Sequence, residues 1–366
     1  MKIKDISAAI EKIVPLRLAQ SWDNVGLLIG SGRQNVGNIL LTIDITKDVV
    51  AEAKKLKTDL IISYHPVIWD GLKKITGDDI VHELIRSGIA VFSIHTALDS
   101  VAGGVNDGLA EIIGIENAEP IGDYVDNPAE DNYKLVVFVP VESAAKVSNA
   151  VFAAGAGNIG NYSHCGFQAE GTGSFKPLEE ARPTIGKKGK IEKVKEIRFE
   201  TIVPAEKLNV IVAAMKEAHP YEMPAFDIIK LYSENKFGLG RIGRLAKPMQ
   251  LKQIIQRIKK RTGARVAGIV GNKKRLIRTA AVCAGSCGKI INLVIAAKCD
   301  LYLTGELKHH QALAAQEAGL TCVCLSHTVS ERFILRKLAK QLQKQIKAVT
   351  INISKKDRDP FEWKSL

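Results

Sequence analysis

Residues 59–66 read Asp59-Leu60-Ile61-Ile62-Ser63-Tyr64-His65-Pro66. This run is short, rich in β-branched residues and closed by proline, which predicts a buried strand whose carboxyl end faces solvent or a ligand. Three further runs have the same form, and they end on His95, Glu306 and His327. Because packing alone does not require four strands to end on metal-competent side chains, we expect a functional site where these strands end.

Length and hydropathy place the chain among globular proteins. Its 366 residues suffice for two or three domains, and 46% of them are hydrophobic. No apolar run is long enough to span a bilayer, and the N-terminus lacks an apolar signal core. We therefore expect a cytoplasmic protein without a membrane partner.

The charge balance is basic. Lys and Arg total 52 against 39 Asp and Glu, which gives a formal net charge of +13. Such a surface attracts small anions such as nucleotides. The basic residues are scattered and lack interleaved aromatic residues, so a solvated basic face is favoured over a nucleic-acid groove.

The order of predicted elements indicates three segments. Strands and helices alternate from residue 38 to residue 113, which predicts βαβ units and a mainly parallel sheet. Residues 131–235 have a β-α-β, β-α-β order with a glycine-rich middle, typical of a ferredoxin-like sandwich. The alternation then resumes. We predict an α/β protein with two similar, mainly parallel halves, 1–125 and 245–366, and an inserted α+β ferredoxin-like domain, 131–235.

An internal repeat relates the two flanks. The stretch that ends on His65 corresponds to Asp300-Leu301-Tyr302-Leu303-Thr304-Gly305-Glu306. Asp44 precedes His65 by 21 positions, and Gly285 precedes Glu306 by the same 21. Two related halves would bring the ends of their equivalent strands together, where ligands bind to open parallel sheets.

The repeat also contains a pair of candidate ligands in each flank. His95-Thr96-Ala97-Leu98-Asp99 and His327-Thr328-Val329-Ser330-Glu331 share the pattern H-T-x-x-[DE] after a strand. Imidazole and carboxylate together suit Zn²⁺, Fe²⁺, Mn²⁺ or Co²⁺. With His65, the two sets could hold two metals about 3.5 to 4 Å apart. The alternative is that Asp99 and Glu331 cap their helices and that backbone groups satisfy the histidines.

Several motifs together resemble the Nif-three-like family, the GTP cyclohydrolase 1 type 2 homologues. They are Trp22-Asp23-Asn24-Val25-Gly26-Leu27-Leu28, Ser63-Tyr64-His65-Pro66, His95-Thr96 with Asp99, Thr304-Gly305-Glu306 with His309-His310, and Ser326-His327 with Glu331. Gly160-Asn161-Tyr162 and His219-Pro220-Tyr221-Glu222 resemble the PII-like or CutA-like insert of longer members. The resemblance implies a toroidal homohexamer with a dinuclear metal centre that faces an internal cavity.

The resemblance also implies a ligand set. The metal ligands would be His65, Asp99, His327 and Glu331. The family pattern is His-His-Pro, whereas this chain has Tyr64-His65-Pro66, so one imidazole is missing. A phenol ligates only when deprotonated, against an ordinary pKa near 10. We therefore expect either a second metal that is weak or absent, or ligation by Tyr64.

A metal-dependent hydrolase is the function that these implied ligands favour, with a water activated by the metal as nucleophile. His95 and Glu306 would orient ligands or shuttle protons. His309 or His310 would stabilise an anionic intermediate, or else merely cap a surface helix. The basic charge favours a nucleotide-like substrate, although no sequence feature shows a guanine pocket. The alternative is a non-catalytic, metal-loaded ring whose PII-like insert senses a small molecule or docks a partner.

Overall fold

The structure, a computed structural model, describes residues 1–125, 132–232 and 237–364. The chain divides into two compact units, one formed by Met1–Asp126 with Asn235–Leu366 and the other by Asn127–Glu234. The described residues form three sheets with helices packed on them. The fold is therefore mixed α/β, as the sequence predicts.

The elements follow in chain order. The strands are β1 (Gly26–Ile29), β2 (Asn38–Thr42), β3 (Leu60–Ser63), β4 (Ala90–Ser93), β5 (Ile115–Ile121), β6 (Asn132–Pro140), β7 (Gly166–Phe175), β8 (Glu192–Pro204), β9 (Phe226–Lys230), β10 (Gly240–Gln250), β11 (Gly268–Val270), β12 (Leu276–Cys283), β13 (Leu301–Thr304), β14 (Thr321–Cys324) and β15 (Thr350–Ile353). The α-helices are α1 (Ile3–Ile13), α2 (Lys47–Lys55), α3 (Ile80–Arg86), α4 (His95–Ser100), α5 (Val105–Ile113), α6 (Ala144–Ala153), α7 (Leu208–Ala218), α8 (Leu251–Thr262), α9 (Ile291–Ala296), α10 (His309–Glu317), α11 (His327–Arg332) and α12 (Leu335–Gln345). Within the described ranges, none of these helices has both the length and the apolar character that crossing a bilayer requires.

The first sheet has the strand order β1-β4-β3-β2-β15. Strands β4, β3, β2 and β15 are parallel, and β1 is antiparallel to β4. All four residues of Leu60–Ser63 are buried, because both faces of the sheet are covered. The sheet is mainly parallel, and its central strands point their carboxyl ends the same way.

The second sheet has the order β11-β14-β13-β12-β10-β5. Its first four strands follow the same relative order as β1-β4-β3-β2 of the first sheet. Two strand pairs are parallel and three are antiparallel, so the prediction of a mainly parallel sheet is wrong for this flank. The difference comes from β5 and β10, which the sequence analysis did not predict because Pro120, Gly243 and Pro248 interrupt their apolar pattern.

An aspartate fixes the register of the central strand in each of these two sheets. The Asp59 Oδ2 atom accepts hydrogen bonds from the backbone N–H groups of Gly37 and Asn38, at 2.7 and 3.0 Å. The Asp300 Oδ2 atom accepts equivalent bonds from Arg278 and Thr279, at 2.8 and 3.0 Å. Each carboxylate ties the start of its strand to the neighbouring strand. Since β3 and β13 have equal lengths, they end at equivalent levels.

The core of this unit lies between the two sheets. Four helices, α1, α5, α8 and α12, share one buried cluster with the inward faces of both sheets. Members of this cluster include Ile10, Leu109, Ile254, Leu338, Leu41 and Leu303. The other face of the first sheet packs on α2 and α3, and that of the second sheet packs on α9 and α10. Coverage on both sides explains why the parallel strands are apolar throughout.

The second unit contains one antiparallel sheet of order β7-β8-β6-β9. Its elements run β6, α6, β7, β8, α7 and β9, and both helices pack on one face of the sheet. The sequence analysis treated β7 only as part of a glycine-rich middle. Its glycines sit inside a ten-residue strand, at Gly171 and Gly173. A β-carbon on Gly173 would lie 2.1 Å from the Glu196 Oε2 atom, so this glycine leaves space for the Glu196 carboxylate.

A buried arginine joins α5 to β10. Arg241 is 2% exposed, and its Nε atom lies 2.7 Å from the Asp107 Oδ1 atom. Its remaining N–H groups donate to backbone carbonyls of Gly238, Gly240, Ser100 and Val101. A buried guanidinium with this many partners is stable in place, but removing it leaves buried acceptors unpaired.

We predict that Arg241→Ala lowers the free energy of unfolding by about 3 kcal/mol, because Asp107 and four carbonyls lose their donor. Arg261→Ala is the matched control. Arg261 also pairs with a carboxylate of helix α5, that of Glu111, but both side chains of this pair are exposed. The control should cost less than about 1 kcal/mol. Urea unfolding followed by tryptophan fluorescence measures both variants. Equal effects would contradict a structural role for the buried pair.

Candidate metal centre

Three of the predicted ligands come together. His65 lies two residues beyond the end of β3, and α11 begins at His327 and carries Glu331 one turn later. One ligand atom from each of the three lies within 4.8 Å of the other two. The ends of the strands bring these groups together. The predicted strands extend to His65 and His95, whereas β3 and β4 each end two residues earlier.

Glu331 is the centre of the cluster. Its side chain is only 3% exposed, its Oε1 atom lies 3.1 Å from the His327 Nε2 atom, and its Oε2 atom lies 3.4 Å from the His65 Nε2 atom. The Oε2 atom is buried and has no hydrogen-bond partner among the residues that the structure describes. Burial acts to raise the pKa of Glu331, but the two imidazoles hold it below its ordinary value. The carboxylate is therefore charged and faces two imidazole nitrogens.

A second carboxylate lies behind each imidazole. The His65 Nδ1 atom is 2.8 Å from the Asp44 Oδ1 atom, and the His327 Nδ1 atom is 3.3 Å from the Glu306 Oε1 atom. A carboxylate at Nδ1 fixes the ring and leaves Nε2 as the ligand atom, which is how histidine ligands are commonly oriented. Burial acts to lower the pKa of His65, but Asp44 and Glu331 raise it to about 10.

His95 has the same support. Its Nδ1 atom is 2.8 Å from the Asp23 Oδ1 atom, and the Asp23 Oδ2 atom accepts a hydrogen bond from the Thr96 backbone N–H at 3.0 Å. The His95 and His65 rings lie 5.3 Å apart between centroids. His95 thus lies beside the cluster, with its ring held by a carboxylate.

Buried Tyr64 and half-buried Asp99 form a separate pair. The Tyr64 hydroxyl donates a hydrogen bond to the Asp99 Oδ1 atom. Burial, Asp99 and Glu331 all raise the pKa of Tyr64 well above its ordinary value, which keeps the phenol protonated. Burial and the charge of Glu331 raise the pKa of Asp99 to about 7. Asp99 thus lies next to the three-residue cluster, and Tyr64 donates a hydrogen bond to Asp99.

Two backbone positions shape the cluster. Gly285 has φ +66°, and a β-carbon there would lie 2.6 Å from the Glu331 Oε1 atom. Ser326, directly before His327, has φ +81°, an unfavourable conformation for a residue with a side chain. This backbone conformation directs the first residue of α11, His327, toward His65. Neither α4 nor α11 has a side-chain hydrogen bond at its N-cap, and Glu331 faces imidazoles, which counts against the capping alternative.

His309 lies elsewhere. It is the first residue of α10 and lines a surface depression with Asn272 and Leu313. None of the cluster residues lines that depression. His309 thus lines a different depression from the cluster residues, and its neighbour His310 is exposed on α10.

Asp23, Asp44 and Gly285 contact or flank the candidate cluster, and the sequence alone does not predict these contacts. Asp23 belongs to the stretch Trp22-Asp23-Asn24, where it was quoted only as part of a motif. Asp44 and Gly285 were paired by the repeat but given no role. The signal in the sequence is the equal spacing of 21 positions from Asp44 to His65 and from Gly285 to Glu306.

The donor set suits a divalent cation. Two imidazole nitrogens, which must lose their protons to ligate, and one carboxylate match catalytic Zn²⁺ sites and non-haem Fe²⁺ sites. The buried Glu331 Oε2 atom, which has no hydrogen-bond partner, and the space left by Gly285 fit such an ion. The residues present are thus compatible with the predicted metal.

The family model described as Duf34/NIF3 (NGG1p interacting factor 3) matches residues 1–360. A protein named GTP cyclohydrolase 1 type 2 homolog from Halalkalibacterium halodurans is 36% identical over 361 residues, covering 96% of each chain. The protein of that name from Bacillus subtilis is 35% identical over 368 residues, covering 98% of each chain.

Solved structures also match this chain over nearly its whole length. A Bacillus cereus protein related to NIF3 matches with a TM-score of 0.75 and 37% identity, and the match covers 99% of both chains. A Staphylococcus aureus protein matches with a TM-score of 0.82 and 27% identity, also over 99% of both chains. The resemblance that the motifs indicated is thereby confirmed, and the chain belongs to the Duf34/NIF3 (NGG1p interacting factor 3) family.

Proposed function

We propose that this chain is a metal-dependent hydrolase that binds a divalent cation between His65, His327 and Glu331 and acts on an anionic, nucleotide-like substrate. One observation carries the proposal. A buried, charged Glu331 faces two imidazole Nε2 atoms whose rings are held from behind by Asp44 and Glu306. An ion that all three donors share satisfies the Glu331 Oε2 atom, which has no hydrogen bond of its own.

The chemistry divides between the ion and the chain. A bound divalent cation lowers the pKa of a coordinated water toward about 7. Asp44 and Glu306 hold the Nδ1 protons of their histidines and so keep each Nε2 atom aimed inward. Asp99 has a pKa of about 7 in the metal-free chain, which suits a group that accepts a proton near neutral pH.

We also propose a second, weaker cation site at His95 and Asp99. The Tyr64 hydroxyl already occupies the Asp99 Oδ1 atom, so a second ion competes with this hydrogen bond. Tyr64 itself stays protonated and supplies no ligand atom, because its pKa lies well above its ordinary value. The metals proposed are Zn²⁺, Fe²⁺, Mn²⁺ or Co²⁺.

The architecture proposed for the family extends to this chain. The shared strand orders and the paired roles of Asp59 and Asp300 support two related halves. The β-α-β-β-α-β order of the second unit supports a ferredoxin-like, PII-like insert. Family membership supports assembly as a toroidal homohexamer, and relatives named GTP cyclohydrolase 1 type 2 homolog support a nucleotide-like substrate.

A non-catalytic sensor is the second candidate, and a cavity in the unit Asn127–Glu234 favours it. This cavity has a volume of about 570 Å³ and is lined by Phe175, Glu196 and Tyr221 among others. Glu196 is 8% exposed, and the Tyr221 hydroxyl is also buried. A few buried polar groups in a largely apolar cavity are a common feature of small-molecule sites.

Metal affinity tests the cluster directly. Glu331→Gln keeps the size of the side chain and removes its charge, so we expect the affinity for Zn²⁺ to fall more than about 100-fold. Asp44→Asn touches only the His65 Nδ1 atom and should cost about 10- to 100-fold. Titration calorimetry measures both, with the exposed Glu111→Gln as control. An unchanged Zn²⁺ affinity of Glu331→Gln would show that these residues do not form the metal site.

The pH dependence of metal binding follows from His65. Its pKa of about 10 in the metal-free chain means that the ring is protonated at pH 7.5, whereas a metal ligand must be neutral. We expect Zn²⁺ binding at pH 7.5 to release at least one proton, and the affinity to fall as the pH is lowered. Calorimetry in two buffers of different ionisation enthalpy counts the protons. Binding without proton release would show that His65 is not a ligand.

Activity separates the two candidate functions. The metal-loaded chain should turn over a member of a panel of GTP and phosphoesters, and Glu331→Gln should abolish that turnover, as loss of the ion removes the activated water. The control Glu111→Gln should keep full activity. If no substrate turns over and panel nucleotides instead raise the melting temperature, with the rise lost in Glu196→Gln, the sensor is the better account.

A further inference from the structure

A cavity opens beside the metal cluster and has no role in holding the cation. Its volume is about 720 Å³, within the range of about 300 to 1,000 Å³ that small-molecule sites occupy. Asp44 and His65 form one wall, and the segments that follow β2 and β3 form most of the rest. Whatever binds there lies next to His65.

The free charges in this cavity are mainly positive. Its walls include three cations, Lys47, Lys74 and Arg358, and three carboxylates, Asp44, Asp78 and Asp79. Two of the carboxylates are engaged. Asp44 is bound to the His65 Nδ1 atom, and Asp79 accepts hydrogen bonds from the Thr76 N–H and hydroxyl at 2.6 and 2.9 Å.

The cations are not neutralised by close ion pairs. Over residues 1–125, 132–232 and 237–364, no carboxylate lies within 4.0 Å of the Lys47, Lys74 or Arg358 charge. Lys74 interacts at longer range with Asp79 and helps to lower its pKa, after the hydrogen bonds from Thr76. Lys47 interacts at longer range with Glu83, which lies outside the cavity. Among the described residues, Lys47 and Arg358 are therefore the cavity cations without a partner carboxylate in the cavity.

The fold holds both of these cations at the carboxyl end of β2. Lys47 is the first residue of α2, whose Thr46 hydroxyl accepts a hydrogen bond from the Val49 N–H. Arg358 follows Asp357, a buried side chain whose Oδ2 atom accepts a hydrogen bond from the Ile43 N–H at 3.0 Å. The other Asp357 oxygen lies 2.8 Å from the Nε atom of Arg332, which directly follows Glu331.

An aromatic surface completes the cavity. Trp69 is 54% exposed, and its ring centroid lies 6.1 Å from that of His65 and 5.2 Å from that of His95. Leu72 and Ile75, also about half exposed, line the same cavity. A tryptophan left exposed among apolar neighbours provides a face on which a planar ring can stack.

We propose that this cavity binds the phosphorylated, heteroaromatic part of the substrate, with the phosphate on Lys47 and Arg358 and the ring stacked on Trp69. The inference deepens the proposed function, on which it rests for the reaction at the neighbouring cation. Binding itself needs only the cavity, so the two claims are separable.

Three probes test the inference with the full chain: GMP, guanosine, which lacks the phosphate, and ribose 5-phosphate, which lacks the base. Titration calorimetry is carried out in EDTA and again with one equivalent of Zn²⁺. We expect GMP to bind at least about tenfold more tightly than either fragment, because it engages both the cations and Trp69. Absence of saturable GMP binding under both conditions would overturn the inference.

Variants assign the contacts. The double change Lys47→Ala with Arg358→Ala should weaken GMP at least about tenfold and leave guanosine unchanged, whereas Trp69→Ala should weaken both GMP and guanosine about fivefold or more. Lys54→Ala is the matched control, because Lys54 lies on the same helix α2 but pairs with Glu83 outside the cavity. All of these side chains are exposed, so the variants keep the fold. GMP binding that is equally sensitive to Lys54→Ala and to the double change would show only non-specific attraction to a basic surface.

The outcomes distinguish this inference from the proposed function. GMP binding in EDTA that requires Lys47, Arg358 and Trp69 supports the cavity, even if no hydrolysis is detected. Hydrolysis of a phosphoester that is unaffected by changes at Lys47, Arg358 and Trp69 supports the metal centre and overturns the cavity.

Discussion

The burial of one negative charge constrains the site and the elements around it. Glu331 is ionised inside the protein, and an isolated buried carboxylate costs several kcal/mol. The imidazoles of His65 and His327 offset that cost only if the ends of β3 and β14 come to the same place. This requirement explains the strained backbone of Ser326, and the absence of a side chain at Gly285 leaves the carboxylate its space.

The strand ends meet because register is fixed at the opposite ends of the strands. Asp59 and Asp300 each bind two backbone N–H groups of a neighbouring strand, and four strand residues follow each of them. A slip by one residue would break both hydrogen bonds and would move every side chain of the strand to the opposite face of its sheet. The position of His65 and Glu306 thus depends on polar contacts at the far end of each strand.

The sequence predicted the three residues of the cluster but not the aspartates that hold its histidines. His65 and His327 were accessible because they end apolar runs, and Glu331 was accessible because the pattern H-T-x-x-[DE] recurs across the repeat. Asp23 and Asp44 were not assigned, since an aspartate after a strand has many ordinary roles and only the fold brings it to the Nδ1 atom of a histidine. Strands β7 and β10 were missed because glycine and proline interrupt their pattern, and tertiary pairing overrides that local signal.

Tyr64 shows most clearly what the fold adds to a motif. The sequence shows a phenol where the family pattern has an imidazole, a change that by itself leaves ligation open. In the fold the phenol is fully buried and donates to Asp99, whose pKa of about 7 lets the pair hold or release a proton near neutral pH. An imidazole at position 64 would offer a metal ligand, whereas tyrosine offers a hydrogen-bond donor. Tyr64 therefore makes the two sides of the candidate centre chemically unequal, and the proposed firm cation site lies on the side of Glu331.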